Sequence, residues 1–506
     1  MLKVLVEKNK LQISHLYCMI FPKSNSEGIF IFPSSRGSIE MITYDLRKRG
    51  SEPIYVFLYK KLRDDILDGI IKPNEKLPSK RTFANNLNVG VNTVANAYDQ
   101  LLSEGYVYSS EKRGYYATDM QRFHNIKINT SAPEPVRPEE EPDFFMDFRA
   151  NRINLNNFPI STWNSCMRKA ILDGGDNLYK TVPYNGIPQL RNAISAYLYR
   201  NKGMSVDPEL IFIGAGTEIL LRKIFELFEK NVGVAMEETG LKTLAKQADK
   251  LNIRVNVIPG DDDGMDADLL GETDSSLCYV MPANRFPTGR VIPIKKRLEL
   301  FSWAYEGDER FIIEDDYDSE FRYSGRMIVP MYAEDTKQKV IYLNTFSKTM
   351  VPSLRISYMI LPPVLAARYK ENLGFYSCTV SSFEQFALAE FINSGAFERH
   401  INRMRNFYRK QRVAILKELL SSPLSKVSSI EEHNAGTHFL LKIKTKKSKA
   451  DIYDEGISKD LHISFFSDYI LSDKGSPGYV TLVINYAAIV ADKIPEVVKR
   501  LSEIFV

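Results

Sequence analysis

The sequence has few cysteines and no long apolar run. Four of its 506 residues are cysteines, and none of them form a CxxC pair, which argues against a disulfide framework and against a zinc finger. No stretch approaches the roughly 18–20 apolar residues that a membrane-spanning helix needs. The opening MLKVLVEKNK also lacks the basic start, apolar core and cleavage site of a signal peptide. We therefore expect a cytoplasmic protein with reduced thiols and no membrane partner.

Neither sign of charge dominates the chain. It carries 67 basic and 63 acidic residues, a formal net charge of +4. This balance excludes a protein that binds a polyanion along its whole length, so any nucleic-acid site must be local. The 44% hydrophobic and 26% charged residues are typical of a globular protein. A length of 506 residues predicts at least two folded domains.

Residues 1–40 lack a sustained helical or strand period. They carry short apolar patches among Ser, Gly and Pro, whereas a more regular pattern begins at Met41. We interpret residues 1–40 as a poorly ordered N-terminal extension, with the hypothesis that translation starts at Met41. The alternative is a real but unusual arm that starts at Met1, and the intact mass of the native protein distinguishes the two.

Three short helices and a hairpin are predicted within residues 41–118. Apolar residues at i, i+3 and i+4 spacing predict a helix from Ile54 to Gly69. Ser79 suits the N-cap of a second helix, KRTFANNL, and a third helix follows a short break. The predicted inward-facing residues of the third helix are Val94, Ala97, Tyr98, Leu101 and Leu102. Two β-favouring stretches joined by SSEKRG predict a hairpin, and the whole pattern is typical of a winged helix-turn-helix.

Several polar side chains of this domain stand where a winged helix would meet a DNA groove. Backbone phosphates attract cations and hydroxyls, whereas base edges pair with Asn or Arg at the start of a recognition helix. The candidates at the helix starts and the wing tip are Ser79, Lys80, Arg81, Asn92, Thr93, Lys112 and Arg113. The alternative is a small winged domain used for protein contacts. The charge of this domain is too balanced to distinguish DNA binding from protein binding.

A change of composition separates this domain from the rest. Residues 119–143 contain SAPEPVRPEEEP, which is rich in Pro and Glu and predicts an extended linker. Over residues 144–506, helical patterns alternate with the β-rich runs LIFIG, VGVAM, RVNVIP, LCYVMP, RFIIED, KVIYLN and RISYMIL. This alternation predicts an α/β domain with a mainly parallel sheet. From about Phe391 the pattern favours a small α+β lobe.

One lysine of this domain stands among groups suited to an aldehyde cofactor. The segment TFSKTMVPSLR directly follows the strand KVIYLN. The side-chain amine of Lys348 in this segment could form a Schiff base with an aldehyde. Thr345, Ser347 and Arg355 are available to bind a phosphate.

Two further motifs follow other strands. The strand RFIIED runs into Asp315 and Tyr317, where a carboxylate could hold a pyridine nitrogen and a phenol could hydrogen-bond a ring oxygen. GAGTE, at residues 214–218, leads a strand through two glycines into a helix, where backbone N–H groups can receive phosphate.

The first domain resembles the GntR-type winged helix over LPSKRTFANNLNVGVNTVANAYDQLLSEGYV. The usual pattern of that family is LPSxRxLAxxLxVSRxTVxxAYxxLxxEGY. The family's Ser-Arg pair before the recognition helix is Gly90-Val91 here, so an arginine that commonly reads bases or holds phosphate is missing. The resemblance implies binding to double-stranded DNA with an operator preference of its own.

The second domain resembles fold-type I aminotransferases, which bind pyridoxal 5′-phosphate, through the motifs above together with ANRFPTG. A GntR-type winged helix, a linker and such a domain in this order resemble the MocR/GabR subfamily of bacterial regulators. The resemblance implies that Lys348 is the Schiff-base lysine, Asp315 the partner of the pyridinium nitrogen and Tyr317 the partner of the ring hydroxyl. It implies a phosphate cradle made of Ala215, Gly216, Thr217, Thr345 and Arg355.

Two departures from the family bear on activity. Members often carry NPGY or DPGY, whose aromatic ring stacks on the cofactor, but residues 238–241 here read ETGL. The late strand YVTLVINYA lacks the arginine with which aminotransferases hold a substrate carboxylate. We therefore expect no efficient turnover, with half-reactions left open.

We expect a homodimeric transcription regulator whose aminotransferase-like domain binds pyridoxal phosphate and responds to that cofactor or to an amine effector. The alternatives are a working aminotransferase with an appended DNA-binding domain, and a scaffold without cofactor that dimerises the DNA-binding domain. No metal is expected, because His433 and His438 are five residues apart on a turn-to-strand segment and no cysteine lies near them.

Overall fold

The computed structural model describes residues 42–120, 143–149, 157–228, 232–239, 242–471 and 478–506. The chain divides into two compact units at residues 139 and 140, and each is described by itself. The predictions for residues 1–40, the start at Met41, nearly all of the linker and the end of ETGL lie outside the described residues.

The N-terminal unit is a three-helix domain with a β-hairpin. Its helices and strands are α1 (Ile54–Leu67), α2 (Lys80–Leu87), α3 (Val91–Ser103), β1 (Val107–Ser110) and β2 (Gly114–Ala117). Ser79 caps α2 as predicted, because its hydroxyl accepts a hydrogen bond from the Thr82 N–H at 3.1 Å. The hairpin pairs Val107 with Ala117 and Ser110 with Gly114. The winged helix-turn-helix prediction is confirmed.

One residue of the predicted core of α3 lies outside it. Val94, Ala97, Tyr98 and Leu101 are buried, but Leu102 is 38% exposed. At about 100° per residue, Leu102 falls at the margin of the inward face, whose centre is near Val94 and Leu101. The core also takes in Phe57, Leu58 and Leu62 of α1 and Phe83 of α2.

The C-terminal unit contains most of the secondary structure. Its helices are α4 (Ile160–Asp173), α5 (Pro188–Lys202), α6 (Thr217–Glu226), α7 (Lys242–Lys250), α8 (Ala267–Gly271), α9 (Ile294–Tyr305), α10 (Met331–Glu334), α11 (Phe346–Thr349), α12 (Pro363–Leu373), α13 (Ser382–Asn393), α14 (Ala396–Ser421), α15 (Lys449–Ser458) and α16 (Ile494–Phe505). Its strands are β3 (Met146–Asp147), β4 (Ile211–Gly214), β5 (Gly233–Glu237), β6 (Arg254–Ile258), β7 (Gly260–Asp261), β8 (Gly264–Met265), β9 (Ser275–Val280), β10 (Phe311–Asp315), β11 (Val340–Thr345), β12 (Ser357–Ile360), β13 (Ser428–Glu431), β14 (His438–Lys444), β15 (Leu461–His462) and β16 (Tyr479–Asn485).

Seven strands in the described part of this unit form one mixed sheet in the order β4-β12-β11-β10-β9-β5-β6. Strand β12 runs antiparallel to both of its neighbours, and the other pairings are parallel. The prediction of a mainly parallel sheet from seven β-rich runs is confirmed, since each run contains one of these strands.

Both faces of the large sheet are covered by helices. Along β12, Tyr358 and Ile360 pack with α4, α5 and α13, whereas Met359 packs with α6 and α12. A strand that is buried on both faces needs an apolar residue at nearly every position. This is why the strands of the sheet read as continuous apolar runs in the sequence.

A smaller antiparallel sheet, β13-β14-β16, forms the C-terminal lobe together with α15 and α16. The predicted boundary near Phe391 is too early, because Phe391 in α13 packs with the large sheet. The change occurs within α14, where Ile401 belongs to the large-sheet cluster and Met404 to the lobe. Strand β3 pairs in parallel with β15 and so adds the start of this unit to the lobe. Within the described ranges, no helix combines the length and apolarity needed to cross a membrane.

Candidate functional site

The predicted cofactor motifs meet at one edge of the large sheet. Asp315 ends β10, Thr345 ends β11 and Gly214 ends β4. Strands β10 and β11 are parallel, and β4 shares their direction because β12 is antiparallel to both β11 and β4. The carboxyl ends of all three strands therefore lie at the same edge, where ligands bind in open α/β sheets.

Lys348 lies in the short helix α11, which begins directly after β11. Thr345 caps this helix by accepting a hydrogen bond from the Ser347 N–H at 3.1 Å. The lysine side chain is half-buried. Burial lowers the pKa of the Lys348 amine below its usual value, although Asp318 and Asp315 favour the charged form. A lowered pKa makes an amine a better nucleophile at neutral pH.

Asp315 and Tyr317 present polar atoms that the described residues leave unsatisfied. The Tyr279 hydroxyl donates to one carboxylate oxygen of Asp315 at 2.5 Å. The other oxygen, Oδ1, and the Tyr317 hydroxyl are buried and find no hydrogen-bond partner within the described ranges. Burial raises the pKa of Asp315 to about 6, against the hydrogen bond from Tyr279 and the charge of Lys348. Buried polar atoms of this kind call for a partner such as a ligand.

The loop between β4 and α6 passes close to the side chain of Arg355. Gly216 has a φ of +100°, and a Cβ at this position would collide with the guanidinium of Arg355. The Ala215 N–H donates to the Thr379 hydroxyl at 3.0 Å, and Thr217 begins α6. Arg355 lies 3.3 Å from a Glu218 carboxylate oxygen. A glycine turn at a helix N-terminus beside an arginine suits a phosphate group.

Three hydroxyls, those of Thr345, Ser347 and Ser357, lie beside this cradle. The Ser357 hydroxyl donates to that of Thr345 at 2.8 Å. The Ser347 hydroxyl is buried and has no hydrogen-bond partner in the described part of the chain. The residues present at this edge therefore fit a phosphorylated pyridine aldehyde: a glycine turn, an arginine and hydroxyls for the phosphate, and a carboxylate and a phenol for the ring.

Three residues at this site were not among the predicted site residues. Tyr279 lies in the apolar strand β9, where a tyrosine reads as core. Asn284 donates to both oxygens of Asp318 at 2.8 and 2.9 Å, and the motif ANRFPTG could have identified it. His438 contacts the Pro287 carbonyl oxygen at 3.0 Å, and burial lowers the pKa of its imidazole to about 4. The charge of Lys348 also disfavours the protonated imidazole, which places His438 electrostatically beside the site.

The candidate DNA-contacting residues of the N-terminal unit differ in exposure. Ser79, Arg81, Asn92, Lys112 and Arg113 are exposed, whereas Lys80 and Thr93 are half-buried. The Lys80 ammonium forms an ion pair with Asp99 at 2.7 Å and lies 5.1 Å from the centre of the Tyr115 ring. Five of the seven candidates therefore reach solvent, and Lys80 is already held by its own domain.

The first position of α3 is the one at which the GntR-type pattern has an arginine that this chain lacks. Val91 is 40% exposed at the first position of this helix. An apolar side chain here replaces a charged one at the end of the helix that would face a groove. The wing, by contrast, carries Lys112 at a φ of +55° in the turn between β1 and β2, next to Arg113.

Two family models match the chain. The model described as bacterial regulatory proteins, gntR family, matches residues 54–116, and the model of aminotransferases class I and II matches residues 146–454. Both matches fall within the units described above.

Relatives match this chain over most of its length. The uncharacterized HTH-type transcriptional regulator YdeL of Bacillus subtilis is 35% identical over 91% of this chain and 98% of its own length. The probable rhizopine catabolism regulatory protein MocR of Rhizobium meliloti is 31% identical, covering 76% and 80%. The HTH-type pyridoxine biosynthesis transcriptional regulator PdxR of Corynebacterium glutamicum is 29% identical, covering 76% and 82%.

Solved aminotransferases share the fold of the C-terminal unit. The kynurenine aminotransferase of Pyrococcus horikoshii has a TM-score of 0.62 at 24% identity, covering 72% of this chain and 91% of its own. An archaeal alanine:glyoxylate aminotransferase has a TM-score of 0.64 at 21% identity, with coverages of 72% and 91%. Identities this low establish the fold alone.

Proposed function

The chain belongs to the MocR/GabR subfamily of GntR-type transcription regulators, and we propose that it regulates transcription in response to pyridoxal phosphate or an amine sensed by its C-terminal unit. The observation that carries the proposal is the set of groups at one sheet edge: Lys348, the unsatisfied carboxylate oxygen of Asp315, and the Gly216–Arg355 cradle. This combination matches the functional groups of pyridoxal phosphate.

The ring-binding roles follow from the chemistry of the two unsatisfied atoms. When bound, the cofactor supplies an aldehyde that condenses with amines and a ring that withdraws electrons. Asp315, once ionised, accepts a hydrogen bond from a protonated ring nitrogen through Oδ1. Tyr317 donates its hydroxyl proton to the ring oxygen, because burial raises the pKa of this phenol well above its usual value and keeps it protonated. Lys348 provides the amine for the covalent bond.

The phosphate-binding role falls to Ala215, Gly216, Thr217, Thr345 and Arg355. Backbone N–H groups at the start of α6 and the positive end of the helix dipole favour an anion. Arg355 adds a cation whose side chain is half-exposed and paired with Glu218 at 3.3 Å. A phosphate dianion competes effectively with an exposed carboxylate of this kind, because exposed ion pairs are weak.

The DNA-binding role falls to the exposed starts of α2 and α3 and to the wing. Arg81 and Asn92 are the candidates for base edges, whereas Ser79, Lys112 and Arg113 suit backbone phosphates. Lys80 and Thr93 remain candidates, with Lys80 released from Asp99 on binding. Because phosphate contacts release counterions, the affinity for DNA falls as salt rises.

We also propose that the protein acts as a homodimer through its C-terminal unit. Tyr179 and Phe375 are 77% and 76% exposed, and each is paired with a second aromatic ring, Phe383 and Tyr376 respectively. Exposed apolar side chains that lie together are typical of interaction surfaces, and these two pairs are our candidates for the dimer contact. A symmetric dimer places two winged helices on two half-sites.

Efficient transamination is not part of the proposal. Strand β16 carries Val483 and no arginine, so it offers no cation to a substrate carboxylate. Formation of a keto acid over many turnovers per site would favour the alternative, a working aminotransferase.

The absorption spectrum of the purified protein tests the proposal. A visible band is expected with pyridoxal phosphate, borohydride should abolish it, and Lys348→Ala should lack it. Arg355→Ala is the companion variant, which should retain the lysine but bind the cofactor more weakly. A wild-type protein that stays colourless in excess cofactor would favour the alternative, a scaffold without cofactor that dimerises the DNA-binding domain.

A further inference from the structure

A fully buried lysine lies behind the segment that carries Asp315 and Tyr317. Lys202 is the last residue of α5, and its side chain is 1% exposed. Its ammonium contacts the Asp316 carboxylate at 2.6 Å, the Ser319 hydroxyl at 2.8 Å and the Glu320 carboxylate at 3.0 Å. Lysine is almost never fully buried without such partners. The cofactor roles proposed above do not use it.

Asp316 is fixed from several directions at once. The Tyr342 hydroxyl donates to the same carboxylate oxygen at 2.5 Å, and the Asp316 N–H donates to the Leu343 carbonyl at 2.9 Å. The Asn344 amide donates to the Asp316 carbonyl at 2.6 Å. The residue between Asp315 and Tyr317 is thereby tied to β11 and to the end of α5. Its two neighbours can therefore shift little relative to the sheet.

Charge gives the lysine a second role. The segment buries five carboxylates within seven residues, namely Glu314, Asp315, Asp316, Asp318 and Glu320. Buried carboxylates repel each other unless cations compensate them. Lys202 supplies the positive charge for Asp316 and Glu320, whereas Lys348 interacts with Asp315 and Asp318.

Lys202 and Asp316 are both ionised. Burial lowers the pKa of Lys202, but Asp316 and Glu320 more than offset this effect and raise it well above its usual value. Burial acts against ionisation of Asp316 as well, and Lys202 brings the pKa of this carboxyl below its usual value. Removing the lysine would leave two buried carboxylates without a cation directly behind the cofactor segment.

We propose that Lys202 is a positioning residue for the cofactor: it clamps Asp316 from behind and so holds Asp315 and Tyr317 where they meet the pyridine ring. This inference rests on the proposed binding of pyridoxal phosphate. Lys202 touches neither the ring nor the reacting atoms. It acts through Asp316 and through the charge balance of the segment.

The test compares two buried basic residues of the same helix. Lys202→Met removes the clamp. Arg191→Met is the matched control, because Arg191 is also buried in α5 but contacts the Gly186 and Pro208 carbonyls and Glu209. The dissociation constant for pyridoxal phosphate is measured on the full chain by titration of the absorption band. Thermal unfolding without cofactor is measured on the same samples.

Both variants should unfold at lower temperature than the wild type. Lys202→Met alone should bind pyridoxal phosphate about 10-fold or more weakly, the size typical of losing a residue that orients a ligand-holding group. Lys202→Arg should recover part of this loss, since it restores the charge. Equal affinities of Lys202→Met and the wild type, or equal losses in the two methionine variants, would overturn the proposal.

A milder variant covers the case in which Lys202→Met does not fold. Tyr342→Phe removes one hydroxyl that contacts both Asp316 and Lys202, and about a threefold loss of affinity is expected from one weakened hydrogen bond. Unchanged affinity in a folded Tyr342→Phe protein would count against the clamp. A wild type without affinity for the cofactor would refute the proposed function itself, whereas failure of the clamp leaves wild-type binding intact.

Discussion

Each unit of the molecule buries an aspartate against a tyrosine hydroxyl, yet the two sites differ in what they leave open. In the N-terminal unit, Tyr44 donates to Asp65 at 2.5 Å, and in the C-terminal unit, Tyr279 donates to Asp315 at 2.5 Å. Burial raises the pKa of each carboxyl to about 6. Both aspartates are among the buried residues of their units.

The difference lies in the second carboxylate oxygen and in the surroundings. Asp315 Oδ1 lacks a hydrogen-bond partner in the described structure, and the charge of Lys348 acts on this carboxyl. Asp65 is not left with such an atom, and it lies in the core of a small helical domain. A shifted pKa alone therefore does not identify a functional site. An unsatisfied atom beside a nucleophile at a strand end does.

The largest expected effect separates the two aspartates directly. Asp315→Asn should weaken pyridoxal phosphate binding about 100-fold, because a charge-assisted hydrogen bond to the ring nitrogen is lost. Asp65→Asn should leave the affinity unchanged. Titration of the absorption band measures the dissociation constant of both variants. Similar losses of affinity in the two would show that Asp315 has no special role in binding the cofactor.

The next effect concerns the surface of the N-terminal unit. Arg81→Ala and Asn92→Ala should each weaken operator binding about 10-fold, the usual result of losing a base-reading side chain. The cofactor band should not change. Lys60→Ala is the control, since this half-buried cation lies on α1 and pairs with Glu52. Gel-shift titrations at two salt concentrations measure the affinity of each variant for operator DNA. Retention of full affinity in both variants would rule out the proposed recognition surface.

A pH series sharpens the role of Asp315. Its pKa of about 6 means that the carboxylate becomes protonated as pH falls from 7 to 5, which removes the acceptor for a protonated ring nitrogen. Wild-type affinity for pyridoxal phosphate should then fall up to about 10-fold more than that of Asp315→Asn. The dissociation constants of the two proteins should converge at low pH. A constant ratio from pH 7 to 5 would speak against ionised Asp315 as the ring partner.

The last effect concerns Asp65 and the stability of the N-terminal unit, and it leaves the binding of cofactor and DNA aside. The pKa of Asp65 is raised from 3.8 to about 6 on folding, so the folded unit holds this proton more tightly than the unfolded chain. Its contribution to stability is complete below about pH 4 and is lost as pH rises through 6. Asp65→Asn should therefore gain about 1–3 kcal/mol relative to the wild type between pH 4 and pH 7. Thermal unfolding measures this difference, and a pH-independent difference would contradict it.

The sequence predicts the large sheet well because its strands are buried on both faces. Motifs next to the strand ends predicted Lys348, Asp315, Tyr317 and Gly216 as site residues, and the structure brings these four to one edge of the sheet. The exposed face of α3 was harder to predict: Leu102 was assigned to the core because it is apolar and ends the run of apolar residues in this helix, yet it is 38% exposed.

The remaining site residues carry weak sequence signals. Tyr279 looks like core in an apolar strand, and His438 lies about ninety residues from the Lys348 motif. Lys202 ends a helix, where an exposed lysine is the usual finding because it complements the helix dipole. Its burial depends on Asp316 and Glu320, which lie more than a hundred residues further along the chain. Long-range pairings of this kind are not visible in a single sequence.

The long helix α14 also limits how the lobe can move. Its 26 residues form a rod about 39 Å long, and His400 near its start contacts the Thr349 carbonyl oxygen at 2.8 Å, one residue after Lys348. The buried apolar residues of α14 up to Ile401 belong to the large-sheet cluster, and those from Met404 onward belong to the lobe. Rotation of the lobe against the sheet must therefore bend α14 between Ile401 and Met404, or move the short helix that carries Lys348 together with the lobe.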